Sequence, residues 1–336
     1  MHGAPYPLLF EPILLPKVWG GERLARFGKP VAPGDRVGES WELADLSATS
    51  ASGAGGGAKR SVVRNGPLGG TTLHDVMTQW GEALLPAASR TGAGEFPVLI
   101  KFLDAREDLS VQVHPSPDYA AAHPGAHLKT ECWYVLDAEP GALIYKGVRE
   151  GVTREVFEAA LARGDRAGIL DCLQAVPAVP GECHNLPSGT LHALGAGVLV
   201  AEVQTPSDTT FRVYDWGRVG RELHVAQALE CIDFSPALPA MRFDRPGFYN
   251  GVMGSDYVLL SRCTIDEQGM TLAGEPGSPW MVLGGEGEIA RRGKGEHAVR
   301  AGDTGLTPAA CGREWTLRAR EGSELAVLFV RLPGVG

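Results

Sequence analysis

Four side chains of metal-ligating type fall in two short stretches of this chain and one later turn. The first stretch begins at Leu109 and reads LSVQVHPSPDY. Its β-branched and apolar residues alternate with polar ones, so Gln112 and His114, two apart, project from one face of a strand. The second, TECWYVL, follows the turn-forming residues Pro115, Ser116, Pro117, Pro124 and Gly125. There Glu131, Trp133 and Val135 share a face. If the two strands are near neighbours, an amide oxygen, an imidazole and a carboxylate converge. The turn Pro187-Ser-Gly189-Thr-Leu-His192 supplies a second imidazole. Together Gln112, His114, Glu131 and His192 make an N2O2 shell, which suits zinc or another divalent first-row metal with water or substrate completing it. His2, His74, His123, His127, His184, His224 and His297 lack such a setting and read as surface or structural residues.

The elements that must position these groups are mostly strands. The chain has 336 residues, is 44% hydrophobic and 21% charged, and is long enough for two domains with substantial cores. Its net charge of −9 gives no general attraction for nucleic acid or an anionic membrane, so an anionic ligand needs a local cluster of cations. Six scattered cysteines form no CxxC pair, which fits a reduced cytoplasmic protein, and no apolar run approaches the roughly 20 residues of a membrane span. Short apolar runs broken by Pro and Gly fill residues 5–46, and the small-residue segment 47–60 reads as a surface loop. Thr72 and Asp75 resemble a capping box, and Leu73, Val76, Met77 and Trp80 follow at helical spacing, so residues 72–85 read as a helix ended by Pro86. FPVLIKFLD reads as a buried strand leading into the metal strands. A second helical stretch covers about 153–173, interrupted at Gly164, and RELHVAQALECIDF holds a short helix. After a Pro-rich link the chain returns to short strands and Gly-rich turns. The expected division is therefore 1–240, metal-binding, and 241–336, an all-β domain.

One weak repeat supports that division. Gly181–Pro187 and Gly302–Pro308 both read G-x5-P, the turn-then-strand unit of cupin-type β-barrels, and only the first continues into a histidine. The expected fold is mostly β, two cupin-like jelly-roll barrels with a few helices in or beside the first.

LSVQVHP, KTECWYVLD, PSGTLHALGAG and AEVQTPSDTTFRVYDWGR, with KVWGG and the RELH segment, closely resemble the type I mannose-6-phosphate isomerases, especially their short bacterial form. The resemblance covers roughly residues 5–235. It implies an aldose–ketose isomerase built from cupin barrels, with one zinc per chain and a phosphorylated hexose as substrate, working as a monomer or small homo-oligomer. By motif position it carries the metal ligands to Gln112, His114, Glu131 and His192, and the catalytic arginine to Arg212. Glu202 and Lys129 also fall on active-site positions of the family.

Moving a carbonyl by one carbon needs a base beside it, an electrophile for the enediolate and an acid to return the proton. Arg212 is a fixed cation suited to an enediolate or a phosphate, and Lys129 has a compact charge able to do either. Glu202 is a candidate base. Ser110, on the face of Gln112 and His114, is a candidate phosphate donor, and Trp19 a candidate pocket wall. Two other readings compete: a non-haem iron oxygenase, because two His and a carboxylate also describe that triad, and a non-catalytic sugar-binding cupin that has kept its metal.

Overall fold

The computed structural model describes residues 4–48, 50, 52, 58–242, 250–254, 257–272, 277–292 and 294–332. The Gly-rich loop expected at 53–57, His2 and residues 243–247 of the Pro-rich link lie outside them. Antiparallel strands dominate, as expected. A five-stranded sheet runs in the order 173–177, 143–148, 192–194, 111–113, 211–214. Facing it is a seven-stranded sheet in the order 241–242, 182–186, 131–138, 198–204, 99–105, 13–21, 37–43.

Side chains from both sheets fill the space between them. Ile144 and Leu194 come from the five-stranded sheet, and Leu103, Trp133, Val135, Leu186, Val198 and Val200 from the seven-stranded one. The strand Val198–Gln204 shows how one sequence serves two cores. Val198, Val200, Glu202 and Gln204 share the inner face, while Leu199, Ala201 and Val203 join a second, larger core on the outer face. Both faces are buried, so the strand reads as a nearly continuous apolar run. Its two inward polar residues are the exceptions that mark the site.

The helices follow expectation with corrected ends. Thr72 caps Leu73–Trp80, its Oγ1 accepting from the Asp75 N–H at 3.2 Å, and the expected remainder to residue 85 continues only as a 3-10 turn, Gly81–Ala83. Arg154–Arg163 and Arg166–Cys172 are separated at Gly164, which takes φ of 68°, and Val225–Cys231 is the third short helix. Their apolar residues Phe157, Ala160, Ile169 and Ala228 pack on the outer face of the five-stranded sheet. One helix was not expected, Pro117–Ala122, within the stretch read as a loop. Ser116 Oγ accepts from the Tyr119 N–H and Pro117 occupies the first turn, a start signal legible in SPDY although six residues are too few to show periodicity.

Two further sheets make up the C-terminal part. One has the order 8–9, 304–307, 278–284, 325–331, 259–265, 250–254, and the other 270–271, 315–319, 286–291, 294–300. Gly181 and Gly302, the first residues of the two repeat copies, both sit at positive φ, 89° and 94°, just before the strands 182–186 and 304–307. The repeat thus corresponds to a shared turn that only glycine adopts without strain.

The first strand of the chain crosses the expected boundary. Leu8 and Leu9 pair with Leu306 and Gly305, and Lys29, buried against Glu42 at 2.6 Å, also donates to the Gly302 carbonyl. One core runs from Leu8 and Phe102 through Trp280 to Leu328. Leu8→Ala is therefore expected to destabilise the whole molecule by about 2–5 kcal/mol, since Leu8 is fully enclosed. Calorimetry checks this: a lowered transition for the C-terminal sheet alone would mean that the two parts unfold independently.

Candidate metal centre and active site

His114, Glu131 and His192 meet inside the first pair of sheets. Their ligand atoms all lie within 4.8 Å of one another, and each residue is at most 1% exposed. The geometry corrects one expectation. The strands Val111–Val113 and Glu131–Ala138 are not neighbours in a sheet but lie on facing sheets, so the carboxylate approaches the imidazoles across the interior. On the five-stranded sheet one row of register partners carries the other groups: Arg212 opposite Gln112, Gln112 opposite His192, and His192 opposite Lys146.

Glu131 Oε1 lies 3.2 Å from His192 Nε2, and Oε2 lies 3.3 Å from His114 Nε2 and 2.9 Å from Lys129 Nζ. Neither carboxylate oxygen nor His114 Nε2 makes a hydrogen bond among the described residues, although all three are sealed from solvent. The other nitrogen of each ring is occupied: His114 Nδ1 faces the Thr209 carbonyl at 3.0 Å, and His192 Nδ1 the Thr190 carbonyl at 2.8 Å. A carbonyl can only accept, so each Nδ1 carries the proton and each Nε2 presents a lone pair toward Glu131. Three lone-pair donors with no proton between them, enclosed together, fit a bound cation. Electrostatics agree. Burial, with Lys129 adding to it, pulls His114 down to about 3 and keeps it neutral. Burial alone would raise Glu131, but the Lys129 ammonium beside it outweighs burial and holds the carboxyl well below its usual range.

Gln112 Nε2 lies 3.4 Å from His192 Nε2, while its Oε1 accepts from Ser110 Oγ at 3.1 Å. The two ends of an amide are interchangeable in shape, and a half-turn would present the oxygen to the same point as the other three donors.

Beside this group a narrow cavity of about 50 Å3 is lined by Trp19, Ser110, Gln112, Lys129, Trp133, Glu202 and Arg212 among others. Glu202 is buried, with Oε1 accepting from Lys101 Nζ at 3.0 Å and Oε2 from Trp133 Nε1 at 2.8 Å. Arg212 donates from Nη1 to the Glu222 carbonyl at 2.8 Å, and its buried Nε has no partner among the described residues. The same cavity exposes groups that motif reading did not single out: Lys17, Glu39, Lys101 and Arg221. Glu39 and Lys101 are held as an ion network. Burial works against both charges, yet Lys17 and Lys101 bring Glu39 down to about 2, and Glu202 and Glu39 raise Lys101. The signal for Lys101 was present as a lone lysine inside the apolar run VLIKFL. Lys146, beside His192 in the register, has its amine pushed down to about 8 by burial.

Size alone does not locate the site. A cavity of about 1030 Å3 lies between the C-terminal strands, but its charges are satisfied by one another, as in Arg64 with Asp303 at 2.9 Å and Arg318 with Glu288 at 2.6 Å. No buried orphan atom among the described residues belongs to its lining, whereas three lie at the triad.

Fold and site together define a mostly β protein with a candidate metal centre between the two sheets of its first half, open to a pocket of paired acids and fixed cations. Comparison with known proteins narrows the class. Residues 12–145 match the model of the phosphomannose isomerase type I catalytic domain. The chain is 41% identical over 234 residues, 68% of each chain, to a probable mannose-6-phosphate isomerase, GmuF, of Bacillus subtilis. It is 34% identical over 312 residues to a mannose-6-phosphate isomerase of Streptococcus mutans, covering 90% of this chain and 92% of that one. The crystal structure of a mannose 6-phosphate isomerase from Bacillus subtilis, 28% identical, superposes with a TM-score of 0.72 over 97% of this chain and 99% of that one. A zinc-bound mannose 6-phosphate isomerase, 17% identical, shares the fold with a TM-score of 0.70 over 97% and 100%. This chain belongs to the type I phosphomannose isomerase family. Membership sets aside the oxygenase and non-catalytic readings.

Proposed function

We propose that the chain interconverts mannose 6-phosphate and fructose 6-phosphate with one zinc ion per chain, held by Gln112, His114, Glu131 and His192. The observation that supports the metal assignment is the enclosure of His114 Nε2 and both Glu131 carboxylate oxygens, none with a hydrogen bond among the described residues, against His192 Nε2. Two imidazoles and two oxygens are a donor set that suits zinc. Bound there, the ion would supply Lewis-acid polarisation of the sugar oxygens.

The remaining work falls to the chain's own side chains. Trp19 walls the pocket, and Ser110 and the cations at its rim suit the phosphorylated end of the substrate. Glu202 is assigned the proton transfer between adjacent carbons. Each of its oxygens accepts one hydrogen bond and keeps a second lone pair, so Lys101 and Trp133 orient the carboxylate without using it up. Arg212 stabilises the charge that develops on the enediolate oxygen, because a guanidinium is always charged and its buried Nε lacks an acceptor among the described residues. Lys129, 2.9 Å from Glu131, adds positive charge at the same end and can hydrogen-bond the oxygen that gains the proton.

The test is a coupled assay of the purified protein on mannose 6-phosphate with chelator. Activity is expected to disappear with the metal and to return when zinc is restored to one equivalent. Undiminished turnover of metal-free protein would overturn the assignment, and recovery only at two equivalents would overturn the stoichiometry.

No helix among the described residues is long and apolar enough to cross a membrane.

A further inference from the structure

On the far side of Trp133 and His192 lies a second cavity, of about 370 Å3, that shares no lining residue with the catalytic pocket. It is lined by Lys146, Gln174, Val176, Glu182 and His184 from the sheets, and bordered by the segment 237–240. His184 is the register partner of Trp133, and Lys146 that of His192, so those two rings form the partition.

Two of its polar residues are as buried as any in the core: Lys146 is 3% exposed and His184 1%. Yet Lys146 Nζ and both ring nitrogens of His184 have no hydrogen-bond partner among the described residues. The nearest carboxylate to the imidazole, Glu182 Oε2, stands 3.8 Å from Nε2, beyond hydrogen-bonding distance, and its other oxygen faces Arg242 Nε at 3.5 Å. Burying an ammonium without a counter-ion is costly, and an orphaned imidazole adds to that cost. A folded chain keeps such groups where something else completes them. Around them the walls are apolar: Val176, Pro177, Val179, Ala237 and Leu238.

The donors decide the chemistry of the occupant. An ammonium has only hydrogens to offer, and His184, drawn down to about 4 by burial with Lys146 adding to it, is a neutral ring with one N–H. Both can donate to the same acceptor, and the charge that balances the ammonium is negative. We propose that this cavity is a binding site for a small organic oxyanion, its carboxylate or phosphate head held by Lys146 and His184 and its body by the apolar walls. The site is separate from the metal centre and stands whether or not the catalytic assignments above hold.

Titration calorimetry of the zinc-loaded protein with inorganic phosphate and, separately, with acetate tests it, comparing wild type with Lys146→Met and Ala240→Trp. Lys146→Met removes the charge, and Ala240→Trp fills the cavity from the bordering segment while leaving the ammonium in place, so a folding failure of the first leaves the second decisive. The expected result is a binding event in the wild type that weakens about tenfold or more in both variants, the cost of one charge-assisted hydrogen bond. The anion giving that difference identifies the head group. Anion held in the catalytic pocket contributes equally to all three proteins and cancels. Equal titrations of the three, the behaviour of a cavity that holds only water, would overturn the proposal.

Discussion

Arg212→Ala is expected to fold and bind metal as the wild type does while losing about a hundredfold or more in kcat, with a smaller change in KM. The expectation rests on where the guanidinium sits. Arg212 pairs in register with Gln112 on the neighbouring strand, lines the cavity beside the candidate metal centre and is tethered at Nη1 by the Glu222 carbonyl, so its position is set before substrate arrives. A fixed donor that meets charge only as it develops lowers the barrier without tightening ground-state binding. Steady-state kinetics with metal analysis on the same sample separates the alternatives. A raised KM with unchanged kcat would make Arg212 a phosphate clamp of uniform binding and leave the electrophilic role to Lys129. Arg212→Lys sharpens the comparison, because it keeps the charge and loses the planar fork.

His192→Ala is expected to remove metal and activity together. The ring nitrogen turned toward Glu131 has no substitute nearby, since its neighbour on the other side, Lys146, is a cation that would repel the ion. Losing groups that merely orient a ligand typically costs about 10–100-fold in metal affinity, so losing the ligand itself should exceed that range. Metal content after gel filtration, together with activity and circular dichroism, reads the outcome. Full metal occupancy with full turnover would remove His192 from the centre. Glu131→Gln provides an independent check. It preserves shape but removes the negative charge that faces three positive or polarised neighbours, and it is expected to release the metal without collapsing the fold.

The local pattern of the sequence already carried much of this. Period-two alternation in LSVQVH and TECWYVL placed Gln112 with His114 and Glu131 with Trp133, because a strand sends alternate side chains to opposite faces whatever it packs against. Capping chemistry at Thr72 and the break at Gly164 were equally local, and both stand in the structure. The P-x-G-x-x-H turn marked His192, and the resemblance to the type I isomerases marked Arg212, Glu202 and Lys129.

What alternation does not encode is which strand faces which. The convergence of Glu131 with the histidines arises across two sheets, with His192 paired in register to Gln112, 80 positions earlier, and pairing of that range depends on the packing of both faces at once. The burial of Leu8 in the C-terminal sheet, the ion network of Lys17, Glu39 and Lys101, and the orphaned pair Lys146 and His184 belong to the same class. In the sequence each, Lys101 apart, is an ordinary leucine, glutamate, lysine or histidine on a strand. Only the tertiary structure withdraws water from them, and it is the loss of water that turns an ordinary charge into one that must find a partner.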